Sequence, residues 1–155
     1  MKRKVLSFVI PSLILTILTI PIFVSHAETF LVKRVIDGDT ILLANGERVR
    51  LIGVDTPETK HPQKPVQRFG QEASLFTKGM VEGKEVRLEY DQQRRDKYGR
   101  LLAYVYLLDG VFLNAEIIKQ GYGFAYTRFP FKYLEEFRRY EREARENKRG
   151  LWNEK

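Results

Sequence analysis

The chain has 155 residues, a formal net charge of +7, no cysteine and two histidines, His26 and His61. The absence of cysteine excludes disulfides, thiolate metal centres and cysteine nucleophiles together, and the length suits a single domain. The positive charge is compatible with an anionic partner but does not require one, because an ordinary solvated surface carries such an excess as readily.

The first 27 residues differ from the rest. Lys2, Arg3 and Lys4 precede an apolar run from Val5 to Val24, and Ser25-His26-Ala27 offers small residues at the two positions a signal peptidase reads. We expect a cleaved secretory signal over 1–27 and a folded, extracellular domain over 28–155. An apolar run of about 20 residues also has the length of a bilayer span, so a membrane anchor with the domain facing outside is the competing reading. Pro11 and Pro21 interrupt the run and favour cleavage. Setting aside the three basic residues of this segment leaves 24 Lys and Arg against 20 Asp and Glu, a net of +4, with His61 as the one remaining histidine.

In chain order, Phe30–Ile36 and Thr40–Ala44 read as strands, and Asn45-Gly46 supplies the residue types of a tight hairpin turn. Glu47–Val54 returns as a third strand. Thr59–Arg68, with Pro62, Pro65 and several charges, reads as one long exposed loop. Gln71–Met80 places Ala73, Phe76 and Met80 at helical spacing, and Lys84–Tyr90 is the next strand. Leu101–Leu108, Asp109-Gly110 and Val111–Leu113 form a second hairpin, after which Asn114 is expected to cap a short helix closed by Gly121. A last helix spans Tyr133–Lys148, and Leu151 and Trp152 are expected to fold back onto the core. Three strands, a helix and two strands, with two further helices, predict an α+β but mainly β fold: a five-stranded OB-type Greek-key barrel with three helices.

Side chains, and not the fold, must carry any activity. A lone imidazole leaves no histidine pair for zinc, so a bound metal has to be held by oxygen, which selects Ca²⁺ or Mg²⁺. Asp37 and Asp39 in Ile36-Asp-Gly-Asp-Thr40, and Asp55 in Val54-Asp-Thr-Pro-Glu58, are the candidates. Each motif also reads as an ordinary turn with solvated carboxylates. Arg50 shares a strand face with Ile52 and Val54, so its guanidinium needs an anion, which either neighbouring carboxylates or a bound phosphate could provide. Arg100 closes the charged turn Asp96-Lys-Tyr-Gly-Arg100.

Taken together, these blocks resemble the staphylococcal nuclease, or thermonuclease, family over nearly all of residues 30–152. The similar stretches are Ile36–Thr40, Arg50–Pro62, Gly70–Lys78, Asp96–Tyr104 and a C-terminal helix followed by Gly-Leu-Trp152. The resemblance implies a secreted, Ca²⁺-dependent endonuclease activity on DNA and RNA with little sequence specificity, exercised by a monomer, with Mg²⁺ as a substitute ion to test. It implies Asp39, Asp55 and the Thr56 carbonyl as metal ligands, Glu58 as general base, and Arg50 and Arg100 as the arginines that grip the scissile phosphate. It further implies Lys64, Lys97, Tyr98 and Tyr126 as substrate-binding residues, with Asp37 an acidic neighbour of the metal. The sequence departs from the family where a second tyrosine would follow Tyr126, and has Arg128 there. A non-catalytic nucleic-acid-binding barrel of the same fold is the alternative, against which the retention of Asp39, Arg50, Asp55, Glu58 and Arg100 counts.

Overall fold

Alternation of buried and outward residues shapes the strands. In β2 (Thr40–Leu43) and β3 (Arg48–Leu51), Ile41, Leu43, Val49 and Leu51 point inward and are at most 1% exposed, while Leu42, Arg48 and Arg50 face out. The computed structural model describes residues 28–59 and 68–153, so the expected signal segment, most of the expected 59–68 loop, His61 and Lys64 lie outside the described residues.

β1 (Thr29–Asp37), β5 (Glu85–Glu89) and β6 (Leu101–Leu107) complete a closed barrel in the order β1-β2-β3-β6-β5. β1 serves two neighbours: Thr29–Leu31 pair with β5, and Val32–Asp37 pair with β2 across two register irregularities that bend the strand around the barrel. β3 and β6 close it as a parallel pair, with Arg50 opposite Leu102. Val32, Ile41, Leu43, Val49, Leu51, Val86, Ala103 and Val105 fill the interior. α1 (Gly70–Val81) packs against β1, and α2 (Leu113–Lys119) lies between β6 and α3 (Leu134–Glu146). The five barrel strands and three helices thus match the expected architecture.

Three expectations need correction. The strand expected over Glu47–Val54 stops at Leu51, because Gly53 turns the chain at φ +72°, where a Cβ would collide with Phe131 and Phe137. Val54–Asp55 (β4) then pairs with Phe124–Ala125 (β7) in a separate two-stranded sheet. Val111–Leu113 is not a strand: a single bridge joins Tyr106 to Phe112, and helix begins at Leu113. Asn114 is consequently no cap. It is fully buried inside α2, where its Oδ1 accepts the Val105 N–H and its Nδ2 donates to the Ile52 and Ala103 carbonyls. Leu151 and Trp152 do fold back, but onto the α2–β7 edge: the Leu151 N–H reaches the Gly121 carbonyl, and the Trp152 ring stands edge-on to Phe124 at 5.4 Å.

Candidate active site

The β1–β2 turn is built to carry two carboxylates. At Gly38 an added Cβ would lie 2.7 Å from Thr56 Oγ1, so only glycine permits this turn to approach the segment after β4. The buried Thr77 hydroxyl of α1 donates to the Gly38 carbonyl at 2.6 Å and anchors the turn from beneath. Asp37 and Asp39 flank that contact, each at most 9% exposed. Thr40 Oγ1 and the Thr56 N–H donate to the two oxygens of Asp39 at 2.9 and 3.1 Å. The acid is therefore placed by both segments it joins.

Arg50 leaves the outer face of β3 and answers the question its burial posed. Nη2 donates to Asp55 Oδ1 at 3.1 Å and forms an ion pair with Asp39 Oδ2, also at 3.1 Å, while Nη1 donates to the carbonyls of Val54 at 2.6 Å and Leu51 at 3.2 Å. One guanidinium thus bridges two acids and ties down the Ile52-Gly53 turn. Burial pushes the Asp55 carboxyl above the usual carboxylate range; the Arg50 charge pulls it down, and the charges of Asp39 and Glu58 push it up again. Asp37 is also raised, chiefly by burial and next by a hydrogen bond with the Glu58 carboxyl, against the Thr59 hydroxyl and Gly38 N–H that donate to it. Asp39 and Asp55 therefore share one guanidinium, with Glu58 hydrogen-bonded to Asp37 beside them and its charge acting on Asp55.

That charge imbalance, with donors that are all oxygen, fits a hard dication. The Thr56 hydroxyl strengthens the fit, being buried with no hydrogen-bond partner among the described residues. Among the described residues no three carboxylate or imidazole side chains gather as a metal cage.

A second cluster sits on the turn before β6. Burial works against Asp96, yet the Arg100 side chain and the Arg100 and Tyr98 N–H groups hold its carboxyl below the usual range, with Arg100 Nε at 2.7 Å from Oδ2. Tyr98 is 72% exposed, with Lys97 Nζ 5.0 Å and the Arg100 guanidinium carbon 5.4 Å from its ring centre. The β3–β6 register joins the clusters: Arg100 lies two residues before Leu102, the partner of Arg50, and both point outward. Strand spacing and rise put their Cα atoms on the order of 8 Å apart.

Tyr126 is fastened to the same turn, its N–H donating to the Gly53 carbonyl at 2.9 Å. Beside it lies a residue that sequence reasoning missed: Phe129, 63% exposed, with its ring centre 6.2 Å from that of Tyr126. Its place between Arg128 and Pro130 was the available signal, since an apolar ring in an exposed polar segment needs a partner. Arg128 is itself exposed. Thr77 and Asn114, which position the site from α1 and α2, gave no such signal.

Comparison with known proteins places the chain in one family. Residues 48–154 match the family model described as "Staphylococcal nuclease homologue". A thermonuclease of Staphylococcus intermedius is 49% identical over 131 residues, covering 82% of this chain and 77% of its own length. A thermonuclease of Staphylococcus hyicus is 44% identical over 133 residues, covering 83% and 78%. The endonuclease YncB of Bacillus subtilis (strain 168) is 46% identical over 126 residues, covering 77% of this chain and 59% of its own length.

Proposed function

Because the chain belongs to the staphylococcal nuclease family, we propose that it is an exported, Ca²⁺-dependent nuclease hydrolysing phosphodiester bonds of DNA and RNA. The observation that carries this reading is the Arg50 guanidinium shared between Asp39 and Asp55, with Glu58 hydrogen-bonded to Asp37 and its charge acting on Asp55. Asp39, Asp55 and the Thr56 carbonyl would hold the ion, whose positive charge, when bound, stabilises negative charge on phosphate oxygens.

The chain's own groups do the rest. Arg50 and Arg100 leave adjacent strands on one face, so two planar, permanently charged forks can grip one phosphate. Glu58 takes the proton of the attacking water, a contribution of about 10²–10⁴ in rate, or ~3–5 kcal/mol. Phosphodiester hydrolysis calls for on the order of 20 kcal/mol of barrier lowering, so most of it falls to the preorganised positive groups. Tyr98 and Tyr126 offer exposed faces to bases, and Lys97 and Lys64 offer charge to flanking phosphates. None of these contacts reads a base edge, in keeping with little sequence specificity.

The test is incubation of the protein with single- and double-stranded DNA and RNA, with Ca²⁺, with Mg²⁺ and with a chelator. Calcium-dependent shortening of both nucleic acids is expected. Strands that shift in a gel yet stay intact under every condition would instead identify a binding barrel.

A further inference from the structure

The outer face of the barrel carries a row of arginines of which the proposed reaction uses only Arg100, leaving Arg34 and Arg48 without a role. Register places Arg34 of β1 opposite Leu42 of β2, and Leu42 opposite Arg48 of β3. Arg100 continues the row at the entry to β6, one residue before Leu101, the partner of Val49. Three arginines therefore cross four adjacent strands, all on the outward side, since the next row, Val35, Ile41, Val49 and Leu101, faces the interior. With strands about 4.8 Å apart, Arg34 and Arg48 are roughly 10 Å apart, and Arg48 lies about 7 Å along β3 from Arg50.

The electrostatics of this row are one-sided. Arg48 is exposed, and among the described residues its guanidinium has no ion pair or hydrogen bond. Its chain neighbour Glu47 is taken by both terminal nitrogens of Arg95, at 2.8 and 3.0 Å. Arg34 is exposed and makes no ion pair or hydrogen bond among the described residues; its charge helps hold Glu82 below the usual carboxylate range, after the Val35 N–H and Lys78. The helices pack chiefly against β1, β4, β6 and β7. A strand face that exposes Arg34 and the unpaired Arg48, leading away from a phosphate-gripping centre, is complementary to a polyanion that passes through that centre.

We propose that Arg34 and Arg48 form an extended binding track for the phosphodiester backbone, holding phosphates several nucleotides from the cleaved bond and so favouring long strands over short ones. The track rests on the nuclease reading above and deepens it. Leu42 between the two arginines gives a ribose or base an apolar resting place without sequence readout.

The experiment uses the full chain, with Arg48→Ala, Arg48→Lys and the Arg34→Ala/Arg48→Ala double variant beside wild type. Cleavage is measured on a single-stranded 20-mer and a trinucleotide, and 20-mer binding is measured by anisotropy in chelator across a salt series. Each lost phosphate contact lowers the slope of log affinity against log salt by about 0.7 on a single strand. The double variant is therefore expected to lose about 1.4 from that slope and to raise KM for the 20-mer several-fold, with kcat and trinucleotide cleavage unchanged. Arg48→Lys should keep most of the slope, because a track needs charge more than a fork. An unchanged slope and KM in the double variant, or equal losses on both substrate lengths, overturns the track while leaving the nuclease intact. Wild type that binds the 20-mer with the expected slope difference but cleaves nothing supports the track and overturns the nuclease. Wild type that neither binds nor cleaves overturns both.

Discussion

Replacing Arg50 by alanine removes three hydrogen bonds, to Asp55 and to the carbonyls of Leu51 and Val54, together with the ion pair to Asp39. The side chain is only 16% exposed, so water repairs little of the loss. Stripping one partner from a buried ion pair costs about 3–5 kcal/mol. Here Asp39 keeps its donors from Thr40 and the Thr56 N–H, and Asp55 is half-exposed, so the expected cost is lower, about 2–3 kcal/mol. Arg50→Lys keeps one charge and cannot span all four acceptors, and should lose about 1–2 kcal/mol. Urea denaturation in chelator measures both losses. Because calcium offers the same two acids another positive partner, the deficit of the alanine variant should narrow when saturating calcium is added. In cleavage assays the lysine variant should fall roughly 10²-fold and the alanine variant further, on the scale of preorganised donors lost from a transition state. Full stability of Arg50→Ala in chelator would show that the guanidinium does not hold the two acids together. Near-wild-type cleavage by Arg50→Lys would remove it from the phosphate.

Glu58→Gln should bind calcium and oligonucleotide much as wild type does while kcat falls about 10²–10⁴-fold; unaltered turnover would assign the base elsewhere. Asn114→Ala leaves the Val105 N–H and two carbonyls without their buried partner, and should cost about 3–4 kcal/mol in urea denaturation, whereas a loss under 1 kcal/mol would mean the three groups find other partners. Asp91 accepts the Tyr104 hydroxyl at 2.6 Å and the Lys132 N–H at 2.9 Å, and the Tyr104 bond leads the causes that hold its carboxyl below the usual range. A depressed carboxylate contributes stability that is present above the unfolded value of about 3.9 and is lost as pH falls through the folded one. Asp91→Asn should therefore be about 1–2 kcal/mol less stable at neutral pH and approach wild type in acid, as a denaturation series against pH would record.

Much of the barrel was legible because its turns are marked by residue type: Asn45-Gly46 and Asp109-Gly110 allowed only reversals of direction. The failures share a cause, since each was decided by contacts remote in sequence. Gly53 ends β3 because Phe131 and Phe137 occupy the space beside it, and Asn114 looked like a cap until three groups from β6 and the Ile52 turn converged on its amide. Two-residue strands such as β4 and β7 carry no periodicity at all. In the candidate site, the demand of a buried Arg50 for an anion was readable from strand parity, and the structure answers with Asp39 and Asp55 themselves. Phe129 was not foreseen, because only the packing around Tyr126 shows that its ring stays outside.

The parallel seam between β3 and β6 has a bearing on when such a protein becomes dangerous. It joins segments about fifty residues apart in the chain, and nothing local holds Arg100 beside Arg50 before the seam forms. A nascent or threaded polypeptide therefore owns all the parts of a cutting tool and none of its edge.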